Sequence, residues 1–281
     1  MAFDISEPKI QKDEILFLDD PDFRRDHVII VSGAATGIGR AVSVVAGANG
    51  LTVVGLDVAE DEAKKTGEMV RDQGGEFVFI RTDLTRDEDM TAAVSEAAKA
   101  GTIKYLANIA GIQHVDPIEK FPIEKFDLMH RIMVRAPFYL SGLAIPHMQK
   151  SPDGKGVVAN MASVHAHVCT LNKSSYNITK FSLRALSQSI SAEGGGKIRS
   201  FSVSTGFVKT PLALNQIPSQ AEQRGITPEQ VVTDVMMGTS RIKEMMSPVE
   251  VGNTFLYGMS RFGKYLIGGD LLFDGGMVLT Y

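Results

Sequence analysis

Residues 28–42 read VIIVSGAATGIGRAV. Val28 to Val31 form a short β-branched run, the signature of a buried strand. Gly33, Gly37 and Gly39 follow at once, and the pattern then turns helical as far as the glycine at position 50. Glycines set between a strand and a helix allow a tight turn and a close backbone approach. The N–H groups freed at the helix start can then cradle a pyrophosphate. A second strand, LTVVGLD (51–57), ends on Asp57. A carboxylate at that point accepts hydrogen bonds from both ribose hydroxyls and repels a 2′-phosphate. No Lys or Arg stands at positions 34–36 or 58 to neutralise such a phosphate. The loop therefore predicts a dinucleotide site with NAD as the cofactor, built on Gly33, Thr36, Gly37, Ile38, Gly39 and Asp57.

Outward from this loop the same alternation repeats. Helical patterns cover 60–75, 86–101 and 174–193, and strand patterns cover 27–32, 76–83, 103–111, 155–163, 198–204 and 270–276. A long helical stretch with Pro137 and Pro146 precedes the strand at 155. Strand–helix alternation at this spacing predicts an α/β fold, a single-domain doubly wound parallel sheet of the Rossmann type covered on both faces. Residues 27–281 make up that domain. Residues 1–26 read as an N-terminal extension, and a segment of about 207–245 as a small helical substrate flap.

Composition narrows the class. The chain has 281 residues, 44% of them hydrophobic, which suffices for a sizeable core. A net charge of −4 gives no basic bias, which argues against nucleic acid and anionic membrane as partners. A single cysteine, Cys169, excludes an internal disulfide and fits a reducing compartment. No apolar run approaches the roughly 20 residues of a membrane span, and the acidic start lacks the basic region of a signal peptide. The expectation is a cytoplasmic protein. No grouping of His, Cys, Asp or Glu suggests a metal site.

NKSSYNITK (172–180) carries the chemistry. On a helix, Tyr176 and Lys180 lie one turn apart on the same face. A free tyrosine titrates near pH 10, and a neighbouring ammonium stabilises its phenolate. A lone tyrosine and lysine at this spacing is common in ordinary amphipathic helices. The surrounding motifs decide the reading: SGAATGIG (32–39), Asp83–Leu84, NIAG (108–111), Ser163, TGFVKTP (205–211) and LIGGDLLFDGG (266–276). Together they resemble the short-chain dehydrogenase/reductase family over nearly the whole chain from residue 27.

The resemblance implies residue roles. Tyr176 exchanges a proton with the substrate oxygen, Lys180 lowers the tyrosine pKa and holds the nicotinamide ribose, and Ser163 orients the substrate oxygen. Asp83, Leu84, Asn108, Ala110, Gly111, Val208 and Thr210 join the cofactor site, as do Tyr176 and Lys180. Three further stretches, GIQHVDPIEKFPIEKFD (111–127), MASVHAHVCTLNKSSY (161–176) and VKTPLALNQI (208–217), are similar to the family's 3-hydroxybutyrate dehydrogenase branch. That similarity makes Gln113, His165, Lys173 and Gln216 substrate-binding. The logic holds without it, since a small carboxylate needs a cation and neutral donors that point one way. His114, His147 and His167 are assigned structural or surface positions.

Several family positions have changed. Ile109 and Met133 replace asparagines, Phe201 replaces another on strand six, and Thr205 replaces a proline. Met133 stands where the family asparagine supports a proton relay, and it keeps only the main-chain carbonyl. Three functions therefore stay open. The first is an NAD-dependent oxidoreductase that converts (R)-3-hydroxybutyrate, or a close 3-hydroxy acid, to the 3-oxo acid. The second is a short-chain dehydrogenase of another small secondary alcohol or ketone, and the third a non-catalytic NAD-binding regulator. The resemblance further implies a homotetramer.

Overall fold

The computed structural model describes residues 7–279, the side chains of Ser219 and Gln223 excepted. Residues 1–6 of the expected extension lie outside that range. Seven parallel strands form one sheet in the order β3-β2-β1-β4-β5-β6-β7. They are β1 (His27–Ser32), β2 (Thr52–Asp57), β3 (Glu76–Arg81), β4 (Thr102–Asn108), β5 (Gly156–Met161), β6 (Ile198–Thr205) and β7 (Asp270–Phe273). The chain leaves β1 towards β2 and β3, then returns to place β4 on the other flank of β1. This reversal of strand order opens a crevice at the carboxyl ends of β1 and β4. The doubly wound fold expected from the alternation is the one observed.

The strands are buried on both faces, and their side chains divide by parity. Ile29 and Val31 join Val45, Val251 and Phe255 in one core layer. Val28 and Ile30 join Val94, Leu106 and Leu140 in the other. The first layer is covered by α1 (Gly37–Ala48), α2 (Glu60–Asp72) and, packed on α1, α10 (Pro248–Met259). The second is covered by α3 (Asp87–Ala100) and by the run of α4 (Ile123–His130) and α5 (Ala136–Gln149), with α6 (Ser174–Glu193) beside them. A wide π turn at Arg131–Arg135 joins α4 to α5 and contains Met133. Helix α10 has no counterpart in the sequence reading. Its Gly258 explains why Phe201 is tolerated on β6, since a Cβ at 258 would lie 2.4 Å from the Phe201 ring.

Segment 207–245 folds on itself. It contains α7 (Pro211–Leu214), α8 (Ile217–Arg224) and α9 (Pro228–Gln230), gathered around Leu214, Ile217, Val231 and Met236. A separate small core of this kind lets the segment sit over the crevice as one unit. The described part of the extension is not a loose tail. Ile15 and Phe23 are buried in the α1 layer. The Leu16 amide donates to Asn253 Oδ1 on α10 at 2.9 Å, and the Leu18 amide to Asn49 Oδ1 at 2.9 Å. Residues 7–18 thus form a strap along α1 and α10.

Candidate active site

One cleft of about 650 Å³ runs along the carboxyl ends of the strands. Its first half is made of backbone. Gly37 has φ +57°, in the left-handed region that glycine occupies without strain. A Cβ at Gly39 would fall 1.9 Å from the Gly33 carbonyl oxygen, and one at Gly33 would fall 2.8 Å from Ala110 Cα. The loop therefore closes only with hydrogen at these points. Asp57 ends β2 with Oδ2 accepting from the Ala35 amide at 3.0 Å and Oδ1 from the Val58 amide at 2.7 Å. These contacts hold its carboxylate at the cleft wall without neutralising it. Asp83 is tied by the Thr85 amide and hydroxyl, which lower its pKa below the usual carboxylate value. The cradle of glycines and the fixed acid fit a dinucleotide.

Thr36, Ile38, Leu84, Ala110, Gly111, Val208 and Thr210 line the same cleft. Asn108 does not. Its side chain is turned into the sheet, donating to Asn160 Oδ1 at 2.9 Å, and so braces β4 against β5. An acid that the sequence reading passed over meets the loop from the strap. Glu7 Oε1 accepts from the Gly37 amide at 2.6 Å, and Oε2 from Arg40 Nη1 at 3.0 Å. Burial raises the Glu7 pKa, against a lowering by Arg40.

The second half of the cleft is made of side chains. Ser163 lies two residues beyond β5 and caps the turn Val164–Ala166, and Tyr176 and Lys180 project from α6. Ser163 hydrogen-bonds Tyr176, and its Oγ stands 3.1 Å from His165 Nδ1. Lys180 is buried and donates to the Met161 carbonyl at 2.8 Å, with Nζ 5.2 Å from the centre of the Tyr176 ring. One expectation needs correction. The phenol is not lowered by Lys180: burial pushes it up to about 12, with only the Ser163 hydrogen bond acting the other way. Burial pushes the Lys180 ammonium down to about 7. A dry site disfavours both charges, so the tyrosine keeps its proton at neutral pH. Met133 is fully buried beneath Gly111, where its Sδ would lie 3.3 Å from a Cβ.

The four expected substrate residues meet. Gln113, His165, Lys173 and Gln216 all line the cleft beside Ser163 and Tyr176. Gln216 Nε2 donates to Gln113 Oε1 at 3.2 Å, which turns Gln113 Nε2 away as a buried donor with no partner among the described residues. His165 Nε2 stands 2.9 Å from Thr170 Oγ1. Burial first, and then Lys173 and Lys180, push the His165 pKa down to about 3, so the ring is neutral. Lys173 has no acidic partner among the described residues, and burial alone lowers its pKa. Its Nζ lies 5.6 Å from the centre of the Phe207 ring on the flap, within cation–π range. Phe207 and Thr170 were not found in the sequence, because nothing local marks a flap ring or a loop hydroxyl as a neighbour of the site.

A parallel sheet with a glycine cradle at its switch point, facing a serine, a tyrosine and a buried lysine, defines a nicotinamide-dependent oxidoreductase. The chain belongs to the short-chain dehydrogenase/reductase family, and residues 33–278 match the family model described as enoyl-(acyl carrier protein) reductase. It is 32% identical to the D-beta-hydroxybutyrate dehydrogenase of Rhizobium meliloti, over 88% of this chain and 96% of that protein. It is 30% identical to the 2,5-dichloro-2,5-cyclohexadiene-1,4-diol dehydrogenase LinX of Sphingobium indicum, over 89% and 95%. It is 26% identical to the cyclopentanol dehydrogenase of Comamonas testosteroni, over 89% and 96%.

Proposed function

We propose that this chain is an NAD-dependent dehydrogenase of a small 3-hydroxy acid, with (R)-3-hydroxybutyrate, oxidised to acetoacetate, as the foremost substrate. The observation that carries the reading is Lys173. A half-buried ammonium with no acid opposite it among the described residues costs free energy unless a ligand supplies the anion. The unpartnered Gln113 Nε2 and the neutral His165 ring add donors of fixed direction beside it. A cyclic alcohol would give this cation nothing to bind. The similarity to a D-beta-hydroxybutyrate dehydrogenase supports the same choice.

The glycine cradle and Asp57 would hold the cofactor, with Asp57 favouring NAD over NADP. Bound NAD supplies the hydride acceptor, and NADH the donor. Lys173 and Gln113 would fix the substrate carboxylate, which leaves the 3-oxygen between Ser163 and Tyr176. In reduction, the protonated Tyr176 hydroxyl donates to the developing alkoxide while Ser163 holds the same oxygen. Oxidation is the reverse transfer and starts from the phenolate, the minor form at neutral pH in this dry site, so it is favoured as pH rises. The overall change is hydroxy acid plus NAD⁺ to oxo acid plus NADH and H⁺. The wide turn at Arg131–Arg135 carries Met133, whose side chain packs against Gly111, and the reading takes the Met133 main-chain carbonyl as the surviving part of the family relay.

The reading extends to a homotetramer in the cytoplasm. Among the described residues no helix is long and apolar enough to cross a membrane. Phe138 on α5 and Ile178 and Phe181 on α6 present apolar side chains outward, as a contact between copies would need. The direct test is NADH formation from NAD with each 3-hydroxybutyrate enantiomer, repeated with NADP and with Tyr176→Phe. Turnover of the (R) form with NAD, lost in the variant, is the expected result. Binding of NADH with no turnover of any hydroxy acid would sink the substrate assignment. Failure with cyclic and aromatic alcohols as well would favour a non-catalytic dinucleotide binder.

A further inference from the structure

The loop from Met161 to Lys173 carries three of the site's groups, Ser163, His165 and Lys173. Its first turn, Val164–Ala166, is held from behind. His165 and His167 are two residues apart and point opposite ways. His165 faces Ser163 and Thr170 in the cleft, whereas His167 Nε2 lies 2.8 Å from Asp270 Oδ2 on β7. The carboxylate only accepts, so Nε2 carries the hydrogen. The other Asp270 oxygen accepts from the Ser202 hydroxyl and from the Ser204 hydroxyl at 2.9 Å, both on β6. Arg184 on α6 completes the clamp: its Nη1 donates to the Ala166 carbonyl at 2.7 Å and lies 3.5 Å from His167 Nδ1.

A carboxylate inside a parallel strand next to an apolar core is costly unless donors meet both of its oxygens. Here three donors converge on a side chain that is only 9% exposed. None of these hydrogen-bond partners of Asp270 lines the cleft. What the arrangement does is fix β7, β6 and α6 to one point on the catalytic loop. That point is a single residue beyond Ala166, at the end of the turn begun by Ser163.

We propose that His167, held by Asp270, is a positioning residue. It sets the turn 163–166 so that the Ser163 hydroxyl meets the substrate oxygen and the His165 ring meets the substrate carboxylate. The inference rests on the reading of Ser163 and His165 as substrate contacts. Its test therefore has one readout that needs no substrate. Amide hydrogen exchange is compared between the wild-type protein, His167→Ala, His167→Gln, Asp270→Ala and the double alanine variant. Segment 163–170 is expected to lose about tenfold protection in His167→Ala and Asp270→Ala, with segment 33–39 unchanged. The double variant should lose no more than either single one, as members of one contact do.

Steady-state kinetics with (R)-3-hydroxybutyrate then separate roles. His167→Ala should lower kcat and raise KM about tenfold each, because small misplacements of reacting groups are costly. Its NADH affinity should stay the same. His167→Gln, whose amide can still donate to Asp270, should recover most of both. Equal exchange in all variants would overturn the proposal. So would additive losses in the double variant, or a loss of protection spread over the whole chain. If the loop loosens but no variant, wild type included, turns over a 3-hydroxy acid, the clamp stands and the substrate reading falls.

Discussion

The two halves of the cleft are built from different materials. The cofactor half, on β1, β2 and β4, is backbone: glycines at van der Waals limits, amides at a helix start, and one acid fixed by amides. The proposed substrate half, on the loops after β4 and β5 and on the flap, is side chain, with its charge in a lysine that faces no acid among the described residues. A backbone site fixes a shape that every dinucleotide shares. A side-chain site can be re-tuned by single substitutions without disturbing the sheet. That division explains how relatives of one fold act on a hydroxy acid, a chlorinated diol and a cyclopentanol.

The comparison breaks most sharply at Tyr176. Replacement by Phe removes the proton donor and keeps the ring that packs edge-on to His165. Turnover should fall about 10³-fold, the usual range for a general acid, while NADH titration stays unchanged. A comparable loss of NADH affinity would mean that the two halves are not separable. Lys173→Met is the next largest. Losing one charged hydrogen bond of about 1.5–3 kcal/mol raises KM for the hydroxy acid by roughly 10- to 100-fold. The fall in kcat should be smaller, and turnover of a secondary alcohol without a carboxylate should barely move.

The pH dependence sharpens the same point. Burial lowers the Lys173 pKa, so the ammonium proposed to bind the carboxylate is present at low pH and lost as pH rises through that depressed value. KM for the hydroxy acid should therefore climb on the alkaline side, and the climb should vanish in Lys173→Met. The His165 ring contributes no such limb at neutral pH, since it titrates only at about 3. On the other side of the cleft, Gly39→Ala forces a Cβ against the Gly33 carbonyl. Overpacking of this kind costs about 1–3 kcal/mol. The loop must shift, so NADH affinity should fall with the melting temperature while the 163–170 loop keeps its exchange protection.

Sequence and structure agree where the signal is local. Short β-branched runs gave the strands, the glycine spacing gave the cradle, and the four-residue interval gave Tyr176 and Lys180 on one face of α6. The substrate set needed more, because Gln113 and Gln216 meet across 103 positions, and only a family resemblance linked them. Other contacts left no trace. Asp270 looks like an edge-strand residue until the fold brings it to His167. Phe207 reads as one more apolar flap residue until it lies beside Lys173. The phenol's upward shift follows from how dry the finished site is, which neighbours in sequence cannot report.

Glu7 joins the two lessons, since it is a side chain placed on the backbone half. Its carboxylate takes the Gly37 amide at the start of α1, where the partial positive charge of the helix also attracts a pyrophosphate. Burial raises its pKa, so the folded protein holds the ionised form less readily than the protonated one. Stability linked to this group is therefore greatest below the ordinary carboxyl pKa and declines as pH rises through the raised value. Glutamine is neutral like the protonated acid and keeps one acceptor, for Gly37, but its NH2 group cannot accept from Arg40, which retains Glu62 and the Ala35 carbonyl as partners. Glu7→Gln should thus leave the melting temperature level or slightly lower. It should also tighten NADH binding about two- to fivefold, the equivalent of 0.3–1 kcal/mol at a helix terminus. Wild-type affinity should rise towards the variant's as pH falls through the Glu7 pKa. A variant that binds NADH more weakly would show instead that the charged strap shapes the glycine loop for its ligand.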